Sequence, residues 1–285
     1  MKSIENIIGI DLGGTNIRAG KVVEEKIIQF AKESTHAEGS QSEVLEKLFM
    51  VIDSCIDENT KSIGIGVPSV VDVEKGIVYD VVNIPSWKVV PLKEILESRY
   101  KVPVYVNNDA NCFALGEKYY GKARSYKSIV GLTIGTGMGS GLIFNDKLYE
   151  GKNCCAGEFG NIPYLKSNYE HYCSGQFFSE EKSTSAVETN NRALLGDAAA
   201  IKLYAEFGFH IGQAIKSILY AYDPEIIIIG GSRTKAYELF KPAMFEAIRN
   251  FDYPNVLTTL KIEISELEHS AIYGAAALYL NSGQH

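Results

Sequence analysis

Apolar and polar positions along the chain switch repeatedly between the two-residue period of strands and the 3.6-residue period of helices. Residues 7–11 form an apolar run closed by a carboxylate and predict a strand. Residues 18–23 and 26–32 predict two more, joined by a polar turn at Glu24 and Glu25. Val44, Leu45, Leu48, Val51, Ile52 and Cys55 recur at helical spacing and predict a helix over 42–57. "SIGIGVP" reads as a buried strand ending at Pro68, 92–100 as a short helix, "VPVYVNND" as a strand and 110–120 as a helix. The first part of the chain is therefore β-β-β-α-β-α-β-α.

The rhythm then restarts. "SIVGLTIGTGMGSGLIF" holds two β-runs around a glycine-rich turn, and 147–149 adds a short third. A long helix is predicted over 198–222, a fully buried strand at "EIIIIGGS", a helix over 237–249, a strand at "LKIEISEL" and a last helix over 271–280. Residues 152–197 are polar and weakly periodic and give no firm element. The division expected is an N-terminal lobe over 1–120 and a C-terminal lobe over 121–285, with the 271–280 helix packing back toward the first.

The stretch "IGIDLGGTNI" raises a chemical question, because a strand that ends on Asp11 turns at once through Gly13 and Gly14. A Gly-Gly β-hairpin turn would account for it. So would a phosphate cradle, in which bare backbone N–H groups and small hydroxyls face an anion and Asp11 lies near its metal ion. The net charge of −7, the pI near 5.4 and the lack of a basic run argue against a nucleic-acid partner. No run of 18 apolar residues suggests a membrane span, and the first ten residues are too short and polar to read as a secretory signal. Cys55, Cys112, Cys154, Cys155 and Cys173 are odd in number and irregularly spaced, which fits reduced thiols in a cytoplasm better than a disulfide framework.

A second glycine-threonine turn, "GTGMGSG", changes the weight of the first. A dinucleotide fingerprint would have to open a helix, and both turns open strands; the Gly-Lys-Ser/Thr of a Walker loop is absent. What remains is the pair of hairpins that clamps a nucleotide in the actin, heat-shock-protein and sugar-kinase fold. At this point the chain resembles the ROK family (repressors, open reading frames and kinases), whose enzymes are ATP-dependent sugar kinases. The resemblance is carried in order by "GIDLGGTNIRAG", "VNNDANCFALGE", "LTIGTGMGSGLI", "GEFGNIPY", "IIIIGGS" and "AIYGAAALY", nearly the whole chain. It favours the cradle and implies an α/β, two-lobed actin-like ATPase fold with a nucleotide cleft between the lobes.

Asp109 is the candidate general base. A sugar hydroxyl is a poor nucleophile until a carboxylate accepts its proton as it attacks the γ-phosphorus; a helix cap is the competing role for an acid between a strand and a helix. The resemblance implies that Asn83, Asn108, Glu158, Asn161 and Glu180 contact the sugar. It places Asp11, Gly13, Gly14, Thr15 and Asn16 on the β- and γ-phosphates with Mg²⁺ near Asp11. Thr133, Gly135, Thr136, Gly137 and Gly139 are expected to close over the phosphates, and Gly230, Gly231 and Ser232 to lie against adenosine. A side chain at Gly13, Gly14, Gly135 or Gly137 is expected to intrude on the nucleotide or to strain a positive φ. Trp87 is read as core.

The chain departs from the family at its zinc motif. Many ROK proteins hold structural zinc with a His and a C-x-C-G-x-x-G-C-x-E segment. Here the matching residues are "HYCSGQFFSE", with Asn161 in place of the His and Phe178 in place of the last Cys. His171 and Cys173 fall short of the four ligands a structural zinc wants, so no zinc is expected, and Phe177 and Phe178 are expected to plug the loop. The expected function is ATP-dependent phosphorylation of a hexose or N-acetylhexosamine by a cytoplasmic, glucokinase-like homodimer. The rivals are a ROK-type sugar-responsive regulator and a sugar-binding protein with weak or no kinase activity. Against the regulator, the first phosphate motif begins at residue 8, which leaves no room for a DNA-binding domain in front.

Overall fold

The computed structural model of the chain describes residues 6–283. The reading of the first ten residues falls partly on 1–5, outside the described residues. In chain order the elements are β1 (Asn6–Leu12), β2 (Asn16–Val23), β3 (Lys26–Ser34), α1 (Gln41–Asp53), β4 (Thr60–Val67), β5 (Val71–Asp72), β6 (Ile77–Tyr79), β7 (Val89–Val90), α2 (Leu92–Tyr100), β8 (Val104–Asn108) and α3 (Asp109–Tyr119). There follow β9 (Ile129–Ile134), β10 (Met138–Phe144), β11 (Lys147–Leu148), β12 (Pro163–Tyr164), β13 (Ser167–Asn168), α4 (Tyr169–Cys173), α5 (Ala186–Leu194), α6 (Ala198–Tyr222), β14 (Ile226–Gly230), α7 (Tyr237–Arg249), α8 (Pro254–Leu257), β15 (Lys261–Ile264) and α9 (Ser270–Asn281).

The chain forms two compact units. The first comprises 1–125, 141–156 and 266–285, the second 126–140 and 157–265. Residues 141–156 and the last helix are thus grouped with 1–125. The first unit holds a sheet in the order β3-β2-β1-β4-β8, antiparallel between β1, β2 and β3 and parallel across β1, β4 and β8. Side chains alternate across it. Ile8, Ile10, Ile63 and Ile65 enter one core with Val44, Leu48, Trp87, Leu92 and Leu96. On the other face Gly9 and Gly64 lie under the backbone of α9, at Ile272 and Ala275, so close that no β-carbon would fit. That contact ties the chain's last helix to its first strand.

The second unit holds β9, β14 and β15 as parallel neighbours in the order β9-β14-β15, with α6 packed on α7. Ile226 to Ile229 are wholly buried, as an uninterrupted apolar strand covered on both faces should be. Two expectations change. The helix read over 42–57 stops at Asp53, where Ser54 is the C-cap and its hydroxyl donates to Met50 O at 2.8 Å, so that carbonyl is satisfied without another helical turn. Residues 152–197 do contain structure: α4, α5 and a π-type turn over Phe177–Glu181.

Candidate active site

In the first unit, β1 delivers Asp11 to a tight hairpin. Gly13 N–H donates to Asn16 O at 3.0 Å, and β2 returns antiparallel. The hairpin that the Gly-Gly pair suggests is therefore present. Thr35, at the end of β3 and fully buried, clamps it from outside: its hydroxyl donates to Gly13 O at 2.6 Å and its N–H to Thr15 O at 3.1 Å. Gly14 packs on Asn83, whose Cβ would lie 2.6 Å from a β-carbon at Gly14. Burial pushes the Asp11 carboxyl up, against the pull of Arg18 and His269; Arg18 Nη1 is 3.4 Å away.

The strand-to-helix junction is β8 running into α3. Asn108 is the cap, its Oδ1 accepting the N–H groups of Ala110 at 2.9 Å and Asn111 at 3.4 Å. Capping, the competing role for Asp109, thus falls mainly to its neighbour, and Asp109 is the first residue of the helix, with Oδ1 also accepting the Ala110 N–H at 2.9 Å. Behind them, buried Asn107 accepts from the Asn108 N–H at 2.8 Å and from Asn111 Nδ2 at 2.9 Å, and donates to Glu150.

In the second unit, Thr133 ends β9 and its hydroxyl donates to Gly139 O at 3.2 Å across the turn through Gly135, Thr136 and Gly137. The Gly230–Ser232 segment meets this turn: Ser232 Oγ would be 3.7 Å from a β-carbon at Gly135. Gly231 has φ +91° and sits on the carbonyl of Ile134, so only glycine fits there. By contrast Gly13, Gly14, Gly135 and Gly137 are not in the positive-φ region, which removes backbone strain from the expectation for them. Beside Ser232 opens a cavity of about 250 Å³ walled by Val187, Asn190, Tyr204, Arg233, Lys235 and Ala236. Apart from Ser232, no motif in the sequence points to its lining. Glu158 and Asn161 stand together, Asn161 Nδ2 donating to Glu158 Oε2 at 2.9 Å. Burial, and secondarily the charge of Glu170, hold the Glu158 carboxyl above its ordinary range against that hydrogen bond. Glu180 is exposed, with Oε2 3.5 Å from His171 Nδ1.

The motif order and the two turns agree with what comparison finds. The sequence model of the ROK family matches residues 7–282. The chain belongs to the ROK family. It is 30% identical over 306 residues to a glucokinase of Thermotoga maritima, covering 95% of this chain and 96% of that one. It is 27% identical to a xylose repressor of Caldicellulosiruptor bescii, over 95% of this chain and 77% of the repressor. A ROK glucokinase of Streptomyces griseus, solved with glucose and AMPPNP, superposes with a TM-score of 0.82 at 25% identity, over 96% of this chain and 98% of that one. The fold is accordingly the actin-like ATPase fold of ROK sugar kinases.

Phe177 and Phe178 are fully buried, and Phe178 packs at 5.1 Å on Phe177, 5.2 Å on Tyr204 and 5.0 Å on Phe207 between ring centroids. Burial pushes the Cys173 thiol well up. Among the described residues no cluster of three His, Cys, Asp or Glu could hold a metal.

Proposed function

We propose that this ROK protein is an ATP-dependent sugar kinase that phosphorylates a hydroxyl of a hexose or N-acetylhexosamine, glucokinase-like in reaction. The observation that carries the reading is the β8–α3 junction, where Asn108 caps the helix and the Asp109 carboxylate is held in its first turn, its Oδ1 accepting the Ala110 N–H at 2.9 Å. Asp109 accepts the proton of the attacking hydroxyl, a task a carboxylate performs only if it is held in place, and the first turn of a helix holds it. Glu158, oriented by Asn161, accepts hydrogen bonds from sugar hydroxyls, with Asn83, Asn108 and Glu180 as further sugar contacts. The two glycine turns give backbone N–H groups to the phosphates. Adenosine lies against Gly230, Gly231 and Ser232, with the adjoining cavity for the base.

Mg²⁺ fits Asp11, since this ion is commonly held by one or two carboxylates together with substrate phosphates and would offset the cost of burying that carboxyl. It would arrive with ATP and neutralise phosphate charge. A reducing cytoplasm suits four buried cysteines without a disulfide, and the acidic chain with no basic run suits a small-molecule ligand rather than nucleic acid. The family likeness supports a homodimer. No helix among the described residues is long and apolar enough to cross a membrane.

The xylose-repressor relative supports a second reading, a sugar-responsive regulator or sugar-binding protein with weak or no kinase activity. ADP release measured over a panel of hexoses and N-acetylhexosamines separates the two. Turnover with one sugar supports the kinase; sugar binding by calorimetry without ADP release supports the regulator.

A further inference from the structure

Asn107 lies near the end of β8, wholly buried, two residues before Asp109. Its side chain is the hub of a buried polar network. Oδ1 accepts the Asn108 N–H at 2.8 Å, Asn111 Nδ2 from the first turn of α3 at 2.9 Å and the Cys154 thiol at 3.5 Å. Nδ2 donates to Glu150 Oε1. Asn111 is buried too, and its Nδ2 also reaches Cys154 Sγ at 3.6 Å. Cys154 adopts φ +56°, a region that favours glycine, yet carries the side chain that meets Asn107 and Asn111. Burial pushes that thiol up, so it stays protonated and donates. All of these residues belong to the first unit.

An amide turned end for end keeps its shape, so its partners decide which end faces where. Burial pushes the Glu150 carboxyl up and the Asn107 bond opposes it. Ionised, that carboxylate only accepts, so it takes the Nδ2 end of Asn107 and leaves Oδ1 for the junction. Turned the other way, Asn107 would set its own N–H groups against the Asn108 N–H and Asn111 Nδ2, donor against donor. We propose that Asn107 is a positioning residue for the Asn108–Asp109 pair: its amide ties the end of β8 to the first turn of α3, and Glu150 sets which end of the amide does so. The inference rests on the reading of Asp109 as the general base. A base must meet the hydroxyl proton within hydrogen-bond reach, and a misplacement of about 1 Å can cost about 10²-fold in rate.

Exchanging donor for acceptor tests this polarity. Asn107→Asp sets two carboxylates against each other at a buried position and removes the donor to Glu150. Adding Glu150→Gln restores the match with the ends exchanged: the amide introduced at 150 donates to the carboxylate at 107, whose other oxygen still accepts from Asn108 and Asn111. The readouts are kcat per folded site, with sites counted by calorimetric stoichiometry, sugar Kd and ATP KM, well below each melting midpoint. The sugar is the member of the hexose and N-acetylhexosamine panel that the parent turns over fastest. Asn107→Asp should lower kcat per site by about tenfold or more and raise sugar Kd several-fold, with ATP KM within about twofold of the parent. The double variant should recover to within about threefold of the parent. Glu150→Ala, which frees the amide to turn, should lose kcat several-fold, and Glu150→Gln, which still offers an acceptor, should lose less. In an Asp109→Asn background Asn107→Asp should add little, because the carboxylate it positions is already gone. A merely structural Asn107 would change melting midpoints and the number of folded sites but not kcat per site. Parental kcat per site in Asn107→Asp, a double variant no better than the single, or a loss undiminished in the Asp109→Asn background would overturn the role. Should Asn107→Asp not fold, parental kcat per site in Glu150→Ala would overturn it as well. A parent that releases no ADP with any panel sugar would instead refute the kinase reading beneath the proposal. Calorimetry with the panel sugar bound most tightly then decides, since Asn108 sits at the same junction: Kd weakened by Asn107→Asp and recovered in the double variant supports the role, and Kd unmoved overturns it.

Discussion

Phe178→Ala removes a ring that is wholly out of water and in contact with three others. Truncating a buried Phe costs about 3–5 kcal/mol, the sum of lost transfer energy and the cavity left behind. The edge and tilted contacts with Phe177, Tyr204 and Phe207 place the cost toward the upper end, since such pairs contribute about 0.5–1.5 kcal/mol beyond area. For a chain of this size about 2 °C of melting temperature accompanies each kcal/mol, so the midpoint should fall by about 6–10 °C. Thermal melts of parent and variant, each with and without EDTA, are the assay. The parent should melt at the same temperature with chelator and should contain well under one zinc per chain, because a four-ligand site would contribute folding energy that a chelator removes. Stoichiometric zinc, a parent destabilised by EDTA, or a Phe178→Ala protein that melts with the parent would refute the reasoning that aromatic packing has replaced metal in this loop.

Thr35→Val keeps the shape but deletes the hydroxyl that donates to Gly13 O; it should cost about 1 kcal/mol of stability and raise the ATP KM several-fold, measured by melts and initial rates. No change in KM would remove Thr35 from the support of the first turn. Glu158 must be ionised to accept sugar hydroxyls, and its folded pKa is raised above the usual Glu value. Sugar affinity by calorimetry should therefore be full at neutral pH and fall as pH drops through a midpoint above 4.5; in Glu158→Gln that pH dependence should vanish. A midpoint below 4.5 would contradict the cause assigned. Gly231→Ala, at φ +91° on the Ile134 carbonyl, should lower stability by more than 1 kcal/mol and weaken ATP; a stable variant with parental ATP affinity would free that segment from the nucleotide.

What was legible follows from how the information is stored. Long periodic segments were plain: the helix read over 237–249 is Tyr237–Arg249, and that over 198–222 is Ala198–Tyr222. The strands β5 and β7 are two residues long, too short for any period to register, and each pairs only with β6. In the site, side chains that act by their own chemistry stood out, Asp11, Asp109 and Glu158 among them. Thr35, Asn107 and Glu150 did not, because they act on backbone N–H and C=O groups or on one another, and only the fold says which. Asn108 was read for the sugar, and its cap duty emerged once α3 had a first residue.

The central claim is that Asp109 takes the proton of a sugar hydroxyl during transfer from ATP, and the most direct measurement is turnover of Asp109→Asn beside the parent on the sugar that the panel selects. The account predicts a fall in kcat of about 10²-fold or more, the usual span for loss of a general base, with sugar Kd within a few-fold of the parent. A variant that keeps more than half the parent's turnover would contradict it.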